Sequence, residues 1–71
     1  MKLIKGKKYQ YENIELIFEE KLEDFCYMNC DKCGKDTKNP YFFLEANPGT
    51  HDPSEYYFGS ECIKKCIKEI K

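Results

Sequence analysis

Four of the five cysteines in this chain fall in the pattern C-x2-C-x28-C-x3-C, with Cys30 and Cys33 as the first pair and Cys62 and Cys66 as the second. In 71 residues, no other feature constrains the fold as much. A core of this size rarely supplies more than about 3–5 kcal/mol alone, so a chain this short needs a staple. Close thiol pairs offer either disulfides or a metal site. The basic start MKLIKGKKYQ is followed by no apolar stretch of the secretory kind, and no run approaches the roughly 18 apolar residues of a membrane span. The expectation is therefore a cytoplasmic chain with no membrane partner, in a compartment where thiols stay reduced and paired cysteines read as metal ligands. The odd cysteine count also fits a disulfide framework poorly. A closed four-cysteine site holding one structural Zn²⁺ is expected, with Cys30, Cys33, Cys62 and Cys66 as ligands.

The local chemistry agrees with that set. Two cysteines two residues apart converge on one ion if the chain turns sharply after them, and Gly34 directly follows Cys33, where such a turn needs φ > 0. Cys62 and Cys66 are four apart, so a helix would place both thiols on one face, about 6 Å apart along the axis. Cys62 would sit in the first turn, where the helix dipole favours a thiolate. His51 in the THDP loop and Cys26 in FCYM are the reserve ligands if Cys66 fails; the plain alternative is an exposed histidine and a cysteine packed as a small apolar residue.

Residues 7–22 read as extended. Tyr9 and Tyr11 alternate with polar residues, as do Ile14, Leu16 and Phe18, and the phase changes at Glu12-Asn13. A hairpin turn there is expected, with a single bulged strand as the competitor. The stretch FEEKLEDF also places Phe18, Leu22 and Phe25 on one helical face. YFFLE (41–45) and YYF (56–58) read as antiparallel strands around a Pro- and Gly-bearing loop. Gly59-Ser60 then opens a helix over about 60–70 with Ser60 as N-cap, burying Cys62, Ile63, Cys66, Ile67 and Ile70. Ile63, Ile67, Phe43 and Tyr57 are expected to form the thin layer between hairpin and helix, so that metal removal unfolds 27–71.

The run Cys30-Asp31-Lys32-Cys33-Gly34-Lys35, the hairpin after it, and Phe58-Gly59-Ser60-Glu61-Cys62 opening a helix resemble a treble-clef zinc finger. They are also similar to small uncharacterised zinc-binding proteins of phages and other mobile elements. The resemblance covers about residues 27–71 and departs from the family at the helix, where C-x3-C replaces the usual C-x2-C. It implies an α+β fold with a treble-clef-like module (27–71) of knuckle, β-hairpin and C-terminal helix; with the β-rich extension (1–26) read from alternation, one zinc-stapled domain over 1–71 is expected. Treble clefs bind nucleic acid, proteins and small molecules alike, so the fold leaves function open.

Charge narrows the choice. Twelve lysines face thirteen acidic residues, and four thiolates with one Zn²⁺ would move the formal net charge from −1 to −3, a poor field for nucleic acid. With no arginine, bidentate reading of phosphate or guanine is absent. The acidic run Glu19, Glu20, Glu23, Asp24 reads as a solvated face or as a surface aimed at a basic partner. No enzyme is expected: one histidine, a closed metal site and no nucleophile–base pair close in sequence leave catalysis unsupported. A protein-binding module is the leading expectation, in a phage-like setting a modulator or inhibitor of a host enzyme. The alternative is a nucleic-acid-binding finger using Lys2, Lys5, Lys7 and Lys8 beside Tyr9 and Tyr11, with Lys64, Lys65, Lys68 and Lys71 on the helix.

Overall fold

The computed structural model describes residues 2–70. Strand β1 (Lys8–Tyr11) turns through Glu12-Asn13 into β2 (Ile14–Lys21), pairing Tyr11 with Ile14 and Tyr9 with Leu16. Glu12 takes φ 54°, the left-handed geometry with which a two-residue loop matches the twist of its strands. The turn at Glu12-Asn13 therefore forms. A bulge is also present, farther along β2, where the register against its other neighbour slips between Phe18 and Glu20. The helical reading of 18–25 does not occur, because β2 runs to Lys21 and Asp24 and Phe25 have φ 59° and 60°.

Two short strands follow, β3 (Tyr27–Asn29) and β4 (Asp36–Lys38), paired around the first cysteine pair. Then come β5 (Tyr41–Glu45) and β6 (Glu55–Phe58), antiparallel as expected, with Phe43 opposite Tyr56 and Tyr41 opposite Phe58. Helix α1 (Ser60–Cys66) leads directly into β7 (Ile67–Glu69). The main sheet has the order β6-β5-β2-β1-β7, every pairing antiparallel, and β3-β4 forms a second small sheet. The architecture is a small α+β fold, mostly strand, with one helix near the C-terminus. Among the described residues no helix is long and apolar enough to cross a membrane.

Alternation along the strands decides the core. Tyr9, Leu16, Phe43 and Phe58 are fully enclosed on one face of the sheet, joined by Tyr11, Phe18, Ile63 and Ile67. Their rings meet edge-on: Tyr9 and Phe43 have centroids 6.2 Å apart, Phe43 and Phe58 5.6 Å. The Tyr9 hydroxyl, buried with its ring, accepts a bond from the Ile4 N–H at 2.8 Å. Strands β1 and β2 thus supply half the core rather than an appendage to it. Tyr57, expected between hairpin and helix, lies on the outward face instead, where it stacks on Phe42 at 5.1 Å; the period of two gives the inner place to Phe58.

The helix is shorter than its pattern suggests. It ends at Cys66, and Ile67 turns extended (φ −98°, ψ 127°) so that Tyr11 pairs with Ile67 and Tyr9 with Glu69. An open strand edge on β1 offers backbone partners that a last helical turn would lack, and β-branched Ile67 suits the sheet. Ile70, expected on the buried stripe, is 38% exposed. The N-cap is Gly59, with no side-chain cap; Ser60 is already helical.

Candidate metal centre

The turn between β3 and β4 is a tight knuckle. Cys30 N–H donates to the Lys35 carbonyl at 2.9 Å and Gly34 N–H to the Cys30 carbonyl at 2.7 Å, with Gly34 at φ 77° as its place after Cys33 requires. Asp31 ties this knuckle to β6: its N–H donates to the Tyr57 carbonyl at 2.7 Å, and its carboxylate accepts the Tyr57 N–H at 2.6 Å. The start of α1 is brought up against the same knuckle through Gly59. A Cβ there would lie 3.2 Å from both Cγ2 and Oγ1 of Thr37, so the approach is one only glycine makes without displacement.

These links gather the sulfurs of Cys30, Cys33 and Cys62 within 4.8 Å of one another. Tetrahedral zinc with Zn–S near 2.3 Å would place them about 3.8 Å apart, so small convergence suffices. Cys30 and Cys62 are buried against the core and Cys33 is exposed. Burial raises the Cys30 thiol, but the backbone N–H groups of Cys33, Gly59 and Lys32 and the Cys62 thiol hydrogen-bond to its sulfur and outweigh that, holding it below the ordinary thiol value. Cys62 moves the other way, raised by burial and by the sulfurs of Cys30 and Cys33. The helix dipole expected to favour its thiolate is thus outweighed by its neighbours. Three crowded sulfurs, one of them a thiol made more acidic by surrounding amides, are a set that a divalent cation relieves. The residues fit a thiophilic metal ion.

Cys66 lies apart from that group. It is half-buried at the end of α1 and lines a separate cleft of about 270 Å³ with Gln10, Glu12, Lys32, Lys65 and Lys68, where burial raises its thiol. His51 stands at the far end of the β5–β6 hairpin, exposed, with its Nδ1 2.8 Å from the Asp52 carbonyl. A four-residue strand, on the order of 13 Å, separates that loop from the knuckle. Cys26 sits at the opposite end of the β3–β4 hairpin, its N–H donating to Asn39 Oδ1 at 3.2 Å. Neither reserve ligand reaches the cluster. Asp31, Thr37 and Gly59 were not foreseen as parts of the site; only the position of Asp31 between two ligands signals it in sequence.

Two clefts flank the knuckle. One of about 380 Å³ is bordered by Cys33, Cys62, Thr37, Ser60, Glu61 and Lys65 among others; the other is the Cys66 cleft. The lysine–tyrosine surface does not assemble, because Tyr9 and Tyr11 are only 0% and 8% exposed. Lys71, grouped with the helix lysines, lies outside the described residues. Set against family models, curated proteins and solved structures, the chain finds no match.

Proposed function

We propose that this chain is a small zinc-stapled, treble-clef-like interaction module that binds a protein partner and has no catalytic role of its own. Cys30, Cys33 and Cys62 hold the ion, and Cys66 is the proposed fourth ligand, since it follows Cys62 by one helical turn. To serve, its sulfur has to leave the cleft beside Lys32 and Lys65. The ion's part is to fasten the knuckle to the helix start.

The observation that carries the protein-binding reading is the placement of the aromatics. Tyr9, Tyr11, Phe43 and Phe58 build the core, while the most exposed ring, Phe25, follows directly on the carboxylates of Glu23 and Asp24. Bases can stack on exposed rings, but the run Glu19, Glu20, Glu23 and Asp24 just before Phe25 repels phosphates, against the single ammonium of Lys38 at its ring. In a phage-like setting, a modulator or inhibitor of a host enzyme is a role this chemistry suits.

Two measurements test the reading. Metal analysis of protein purified without chelator should find close to one zinc per chain; a folded, metal-free preparation overturns the metal assignment. Single-stranded DNA and RNA columns should let the protein flow through at about 0.1 M salt. Retention released by salt favours the nucleic-acid alternative.

A further inference from the structure

The loop between β2 and β3 breaks two rules at once. Asp24 and Phe25 both have φ near 60°, a conformation disfavoured for any non-glycine residue and an outlier for a bulky one. The second of them is then spent on no core contact: Phe25 is 73% exposed, and Tyr27, two residues on, is 54% exposed. Large exposed rings in a small chain mark a contact surface, and strain retained at such a point calls for a function. Lys38, opposite Tyr27 in the β3–β4 ladder, holds its ammonium 4.1 Å from the Phe25 ring centroid. The ring is therefore already used as a cation acceptor on one side, with most of its surface in water.

The charges around it specify the visitor. Glu20, Glu23 and Asp24 are exposed and Glu19 is half-buried just before it. Among the described residues, no ion pair involves any of the four. The Phe25 ring, which accepts a cation, and the exposed Tyr27 ring, with carboxylates in no ion pair just before them in the chain, complement a segment bearing cations next to apolar side chains. We propose that Phe25 and Tyr27 form the docking point for a basic, apolar-containing segment of a partner protein, with Arg or Lys set beside Leu or Phe. The apolar side chains cover the rings, and the cations meet Glu23, Asp24 and the open ring faces. This deepens the protein-binding reading and rests on it.

The test uses the zinc-loaded full chain and three probes: a synthetic peptide of alternating Arg and Leu, one of alternating Arg and Ser with the same length and charge, and oligothymidine. Backbone amide shifts are followed during each titration. The Arg–Leu peptide should move the amides of residues 23–28 and 38, and the Arg–Ser peptide should bind roughly tenfold weaker or less. Phe25→Gly should lose about tenfold or more in Arg–Leu affinity, as truncation of an aromatic anchor does. The same variant should melt no lower than the parent, because glycine adopts φ 60° without strain. That separation of binding from stability is what a merely structural role for Phe25 cannot produce. Equal binding of the two peptides, full affinity in Phe25→Gly, or Arg–Leu shifts absent from 23–28 overturns the docking site. Salt-sensitive oligothymidine binding with neither peptide engaging overturns the protein-binding reading beneath it.

Discussion

The main sheet and the knuckle are held by different physics. In the sheet, Tyr9, Leu16, Phe43 and Phe58 are fully enclosed, and ring-to-ring contacts run from β1 through β5 to β6. In the knuckle hairpin, β3 and β4 bury nothing completely: only Met28 and Thr37 are even half-covered, and the buried side chain at their turn is the Cys30 thiol. Apolar burial at about 25 cal/mol per Å² can order the first region but has little to act on in the second. A chain of this size can thus place its few large side chains on one sheet and leave the other end to a cluster of three cysteines that could hold a metal ion.

The largest effect expected from that contrast comes from removing the metal. Structural zinc in small domains contributes an apparent binding free energy of about 10–16 kcal/mol at neutral pH. Chelation, or Cys30→Ser, should weaken amide-exchange protection across 27–38 and at the start of α1 far more than in β1, β2 and β5. Protection lost everywhere together would break the comparison and make the two regions one cooperative unit. Next comes Phe43→Ala in the zinc-loaded protein, which should cost about 3–5 kcal/mol because it empties the centre of the sheet core. Denaturant titration reads it, and a loss under about 1 kcal/mol would mean that the rings are loosely packed.

A smaller effect separates the two regions by pH. In the metal-free chain the Cys30 thiol is held below its unfolded value, so its contribution is present above that value and is lost as pH falls through the folded one, about 7. Cys62 and Cys66 are held above theirs, so their contributions are present below the unfolded value and are lost progressively as pH rises through the folded ones. Metal-free stability should therefore peak near the ordinary thiol range and fall on the alkaline side. The zinc-loaded form should fall chiefly on the acid side, where protons compete for the thiolates. Parallel pH profiles of thermal midpoints for the two forms would contradict this assignment. The smallest change sharpens the sheet side alone: Glu12→Gly should stabilise by up to about 1 kcal/mol, since relief of φ 54° outweighs the added chain entropy. Its exposed ion pair with Lys32, at 3.7 Å, offers little to lose.

What was legible in sequence follows the same division. Period-two alternation marks β1 and β2, short apolar runs around a Pro- and Gly-bearing loop mark β5 and β6, and C-x2-C-G marks the knuckle because ligand geometry is local. Strands β3 and β4 were invisible: with nothing fully buried, they leave no hydrophobic pattern. Helical spacing of Ile63, Ile67 and Ile70 extends the expected helix past Cys66, whereas the free edge of β1 that captures Ile67 is a tertiary fact. Three of the four foreseen ligands come together. For the fourth, Cys66, the sequence offers only helical spacing from Cys62, and α1 ends at that very residue.

The pairing of β7 with β1 has a temporal consequence. Tyr9 waits for Glu69, sixty positions later in the chain. A ribosome adding roughly 5–20 residues per second leaves the outer rim of β1 unclaimed for about 3–12 s. Throughout that interval its N–H and C=O groups can recruit any extended segment nearby, including β7 from another copy. Refolding at rising concentration, followed by gel filtration, should therefore yield a growing share of strand-exchanged dimers; a purely monomeric product at every concentration would mean that β7 closes faster than neighbours meet.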